Sequence, residues 1–188
     1  MAHHAETWRR ISEWTIGGYD PAAICFCEVG EVSEPLKQQH FDDLKNLTRL
    51  AWTSCGAAAE HVEFLQTPRK PYLTAYRTDR VTCSHYQILS DLYPAQGQER
   101  TAQHFLVTPA GTSAAESSDV INVHAPSGTR KLLDSQRLKL VRSLLQSTSL
   151  NDATKSVGND RSIIGGDLNT GEFELTRIMR DIVLKGAC

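Results

Sequence analysis

Apolar residues recur along this chain at two spacings, and the changes from one to the other lay out its elements. Residues 5–17 place Trp8, Ile11, Trp14 and Ile16 on one helical face, and "GGYDP" ends that helix. "AAICFCEV", Ala22 to Val29, is an unbroken apolar run closing on a carboxylate, the pattern of a strand buried on both faces. Ser33, Glu34 and Pro35 read as an N-cap with proline in the first turn, opening a helix that repeats Leu36, Phe41, Leu44, Leu47 and Leu50. The period then falls towards two. "YLTAYRTDRVTC" and "AQHFLVTP" alternate like antiparallel strands, "AGTSAAESS" is a loop, and "VINVHAPSG" is a strand running into a turn. Residues 130–147 return to a helical stripe through Leu133, Arg137 or Leu138, Val141 and Leu144 or Leu145. A polar loop over 147–161 leads to the strand "SIIGG", and "EFELTRIMRDIVL" is helical again. Strands alternating with amphipathic helices predict an α/β protein.

Composition narrows this picture without redirecting it. The 188 residues suit a single domain, residues 1–188. With 40% apolar and 22% charged residues, the chain has the make-up of a folded globular protein and not of a disordered one. A net charge of -2 supplies no overall basic field for nucleic acid. No run reaches the roughly 20 apolar residues of a membrane span, and "MAHHAETWRR" lacks a secretory pattern, so the expectation is a soluble, intracellular chain. Five cysteines without a CxxC pair read mostly as buried thiols, with Cys25 and Cys27 packed in a core strand. His3 and His4 belong to a mobile terminus.

Chemistry gathers at three strand ends, where the strand's period of two decides which groups point together. Glu28 closes the first strand. Asn122 and His124 share one face of theirs, opposite Ile121 and Val123, and Asp167 and Asn169 share one face of the last. Ligands of open α/β sheets bind outside such ends. An acid, an imidazole and a carboxamide grouped there are equipment for metal-assisted phosphoryl chemistry. Mg²⁺ favours oxygen ligands and is usually held by one or two carboxylates plus substrate phosphate, a duty that fits Glu28. Asp167 could orient or deprotonate a water, Asn169 donate to a phosphate oxygen, and His124 place a proton or charge beside developing negative oxygens. Gly165 and Gly166 would permit close backbone approach just before them.

"CFCEV", "NVHAPSG" and "IIGGDLN", in this order with helices between, resemble the endonuclease/exonuclease/phosphatase superfamily, nearest its deoxyribonuclease I branch. The similarity covers residues 18–172, and "YLTAYRTDRV" stands where that family has a strand of aromatic, Arg, polar and Val residues. The resemblance implies a two-sheet α/β sandwich flanked by helices, here mostly its first half. It also implies Mg²⁺ or Mn²⁺ as cofactor and a phosphate ester, nucleic acid included, as substrate. On that match Glu28 is the metal ligand, His124 the catalytic histidine, and Asp167 and Asn169 the Gly-Asp-x-Asn pair. Arg100 and Asn122 contact substrate phosphate.

Two departures qualify the resemblance. Nothing before Glu28 supplies the metal-holding Asn of the family's opening strand, and residues 170–188 contain no His for its closing Ser-Asp-His motif. The expectation is therefore a domain incomplete at both ends, with weak or lost catalysis and an exposed sheet face that a partner chain could cover. Singly, each site residue has a plainer reading: Glu28 as a solvated strand end, His124 as a loop residue, Gly-Asp-x-Asn as a turn. Two functions follow, a metal-dependent phosphodiesterase or nuclease, and a degenerate family domain that binds a partner without cleaving.

Overall fold

The computed structural model describes residues 6, 9, 12, 13, 16–27, 29, 34–66, 72–89, 102–124 and 162–167. The strands are β1 (Ala23–Phe26), β2 (Val62–Gln66), β3 (Leu73–Arg77), β4 (Val81–Leu89), β5 (Ala102–Pro109), β6 (Ser118–His124) and β7 (Ser162–Asp167), with the helix α1 (Glu34–Ser54) between β1 and β2. They form two sheets, one ordered β1-β3-β2 and the other β4-β5-β6-β7. Every pairing is antiparallel except β6 with β7, which is parallel. Residues 78–80 turn the chain from one sheet into the other, so β3 and β4, adjacent in sequence, are not sheet neighbours. The helices expected over 130–147 and beyond Asn169 lie outside the described residues.

The helix packs on the first sheet through a stripe the leucine spacing only half predicts. Phe41, Leu44, Ala51 and Trp52 are buried with Phe26, Val62, Leu73 and Ala75, and Thr48 on the same stripe bonds the Leu44 carbonyl at 2.7 Å. Leu50, by contrast, is 58% exposed. At about 100° per residue, nine residues carry Leu50 to the opposite side from Phe41, so Trp52 and not Leu50 completes the face. Each such large apolar side chain stabilises the fold by about 1.5–3 kcal/mol when fully buried.

Two strand expectations also change. Among the described residues β1 pairs on one side only, as an edge strand, and Cys25 is exposed, so the run is not covered on both faces. Nor are the thiols mostly buried, since Cys55 is exposed and Cys27 and Cys83 are half-buried. In β3, by contrast, all five residues are buried, because it is the central strand and its two faces both pack. Ile24, Phe26, Leu73 and Ala75 share the face on α1, whereas Thr74 turns the other way, to Gln103 of β5. Exposed large apolar side chains among the described residues are Tyr19, Leu50 and Ile163, on three separate elements.

One end of the sandwich is held by ions. Asp20 takes φ 43 behind the helical residues 16–19, its N–H donating to the Ile16 carbonyl at 2.9 Å, and its carboxylate meets both Arg77 and Arg80. Arg77 also forks onto Asp79, with Nε and Nη2 at 3.1 and 2.6 Å from the two carboxylate oxygens. The opposite end carries the sequence-predicted site.

Candidate functional site

The parallel pairing of β6 and β7 determines what meets there. Its register sets Asn122 opposite Gly165, Val123 opposite Gly166 and His124 opposite Asp167, so the last residues of the two strands lie side by side. His124 is buried and Asp167 is exposed. This combination puts an imidazole at the margin of the interior and a carboxylate in reach of solvent.

Gly166 explains how the two strands come so close. Its φ of 124 is one that side chains rarely adopt, and a Cβ there would overlap the Val123 carbonyl oxygen and stand 2.8 Å from the Val123 nitrogen. The obstacle is backbone, which cannot swing aside as a side chain would. Gly165 has open space around it, so only the second of the paired glycines is demanded by contact.

Below these strand ends lies a group of buried polar side chains joining the sheets. Thr74 donates its hydroxyl to Gln103 Oε1 at 2.6 Å, and Asn122 Nδ2 donates to the same oxygen at 3.2 Å and to the Phe26 carbonyl at 3.0 Å. The His124 N–H donates to the Tyr72 hydroxyl at 3.3 Å. Thr74, Gln103 and Asn122 are at most 1% exposed. The Asn122 amide, predicted to contact phosphate, thus gives its hydrogens to a main-chain carbonyl and a neighbouring carboxamide. Glu28, Arg100 and Asn169 lie outside the described residues. Glu28 follows Phe26 by two residues, which keeps its Cα within about 7 Å of that of Phe26.

Sequence reasoning did not find Thr74, Gln103 or Tyr72. A hydroxyl and a carboxamide inside apolar strands were the available signal, since buried polar groups require partners. It also missed a second polar group in the other sheet. His104 Nε2 lies 2.8 Å from Asp119 Oδ1 and its Nδ1 2.8 Å from Gln87 Nε2, with the histidine and the aspartate both buried. Parity along β5 and β6 places this pair with Ile121 and Val123, on the face away from Gln103 and Asn122.

The exposed carboxylate of Asp167 suits a hard cation in kind, whereas Glu28, the metal ligand expected from the sequence, lies outside the described residues. Among the described residues no group of three His, Cys, Asp or Glu side chains gathers. No described helix is long and apolar enough to cross a membrane.

No family model and no curated protein matches the sequence. Solved structures do. A humanized D. rerio TDP2 is 19% identical with a TM-score of 0.59, the match covering 95% of this chain and 61% of that one. D. rerio TDP2 has also been solved with a single strand DNA product. ANGEL2, a 2',3'-cyclic phosphatase in complex with adenosine-2',3'-vanadate, is 19% identical with a TM-score of 0.56, over 88% of this chain and 45% of that one. An endonuclease/exonuclease/phosphatase family protein from Bacteroides thetaiotaomicron is 14% identical with a TM-score of 0.60, over 93% and 59%. The chain spans less than two thirds of the length of each. Two packed sheets, the parallel β6–β7 pair and these neighbours agree: the chain has a deoxyribonuclease I-like fold.

Proposed function

We propose that this chain hydrolyses a phosphate ester with the help of a divalent cation, and that its substrate is a nucleic acid or nucleotide. The observation that carries the reading is the register of His124 against Asp167 at the ends of two parallel strands. Structural neighbours solved with single strand DNA and with an adenosine vanadate support the substrate class.

The roles follow from exposure and chemistry. Asp167, exposed, orients the attacking water and takes its proton. His124, buried at the edge of the site, presents its ring to the charge that builds on the phosphoryl oxygens, where low dielectric strengthens the interaction. Asn169 donates its amide to a phosphate oxygen and Arg100 contributes a cationic contact. Glu28 holds Mg²⁺ or Mn²⁺, which when bound supplies Lewis-acid charge at the phosphate.

A Mg²⁺ titration by calorimetry, paired with hydrolysis of a single-stranded oligonucleotide, tests the reading. Binding heat that disappears in Glu28→Ala, with turnover that disappears in the same variant, is the expected result. A wild-type chain that takes no Mg²⁺ and cleaves nothing refutes it. Oligonucleotide binding without cleavage is the signature of the second reading, a degenerate domain.

A further inference from the structure

We propose that Thr74, Gln103 and Asn122 form a positioning bridge that ties the end of β1, and through it Glu28, to the strand bearing His124. The role for Glu28 rests on the function proposed above. The bridge itself rests on geometry.

β1 is four residues long and among the described residues pairs with β3 alone, and a short edge strand opens more readily than the sheet behind it. Its last carbonyl, that of Phe26, is bonded by the Asn122 amide from the other sheet. Asn122 stands two residues before His124, and Phe26 two residues before Glu28. One hydrogen bond therefore links the two strand ends at matching distance from their chemical groups. Gln103 orients the link, since its Oε1 accepts from Thr74 and from Asn122 together and so turns the remaining amide hydrogen towards Phe26.

Apolar residues of the same shape could fill the space of Thr74 and Gln103, but the Phe26 carbonyl is main chain and needs a donor such as the Asn122 amide. What apolar residues cannot supply is a directional bond between one side chain and one main-chain oxygen. Fixing β1 in that direction sets the separation between the Glu28 and His124 segments, which a site with a cation between them needs to hold within fractions of an ångström.

Hydrogen–deuterium exchange of the full chain decides the matter without any metal. In Asn122→Leu and in Thr74→Val, amide exchange across residues 27–29 should quicken about five-fold, the loss of roughly one hydrogen bond. Exchange across β2, on the other edge of the same sheet, should stay at the wild-type rate. Thr74→Ser, which keeps the hydroxyl, should restore protection, and it decides the result if Asn122→Leu does not fold. Unchanged exchange at 27–29, or an equal rise throughout both sheets, overturns the bridge. Mg²⁺ affinity then separates the two ideas. A weakening in Thr74→Val that Thr74→Ser reverses shows the bridge acting on Glu28. An absence of Mg²⁺ binding in the wild type removes the proposed function and leaves the exchange result to judge the bridge.

Discussion

The two ends of the sandwich use polar groups in opposite ways. At one, the buried Arg77 and the more exposed Asp20, Asp79 and Arg80 neutralise one another, and the turn from β3 to β4 is held among them. At the other, neutral amides and a hydroxyl do the joining inside, and an exposed carboxylate is left beside a buried imidazole. The first end joins charges across a turn and the second joins neutral groups in the interior, so the contrast separates the end that holds the chain from the one we propose as the working end.

Substitutions at the two ends should split accordingly. The largest effect expected is on turnover: Asp167→Asn should lower phosphodiester hydrolysis by about 10²–10⁴-fold. Because Asp167 is exposed, its thermal midpoint should match the wild type, and a matching loss of stability would place Asp167 among the structural charges instead. Gly166→Ala breaks the working end by geometry. A Cβ against the Val123 main chain, at a strained φ, should cost about 3 kcal/mol or more in urea unfolding. At the holding end, Arg77→Met removes bonds to two carboxylates and should cost about 1–2 kcal/mol while leaving Mg²⁺ affinity unchanged.

Acid sharpens the same comparison. The Arg77 guanidinium holds the Asp79 carboxyl below the usual carboxylate range. A depressed value in the folded state means stability that is present above about pH 4 and is lost as pH falls further. Arg77→Met should therefore flatten the acid limb of an unfolding curve measured from pH 5 to 2. The smallest effect lies in alkali. Burial, with the nearby Cys25, pushes the Cys83 thiol up to about 12. The unfolded thiol ionises from about pH 8.5, so stability should decline as pH rises above that value, and Cys83→Ser should decline less.

Periodicity made much of this fold legible before any coordinates. β5 spans the residues "AQHFLVTP" marked out, β6 and β7 begin and end near their predicted limits, and α1 starts at Glu34, within the segment predicted to open a helix. Failures came where burial depends on neighbours the sequence does not name. An apolar run predicts cover on both faces of β1, yet an edge position leaves Cys25 open. β2, "VEFLQ", went unnoticed because five residues carry too little period to stand out. Of the site, the adjacency of His124 and Asp167 was readable from strand-end parity. The work of Asn122 was not, because its partner is a main-chain carbonyl 96 positions away.

The corner at 78–80 has a consequence for how such a molecule comes together. All the described strands of one sheet precede it and all those of the other follow, so each can be built from an uninterrupted length of polypeptide. The amide link between Phe26 and Asn122 exists only after the halves dock. Synthesis from the N-terminus would complete the first layer while the second was still being made, and the working end would be the last thing to form. Cleavage at Asp79 should then yield two fragments, each with the described strands of one sheet, whose reunion the Thr74–Gln103, Phe26–Asn122 and Tyr72–His124 hydrogen bonds would announce.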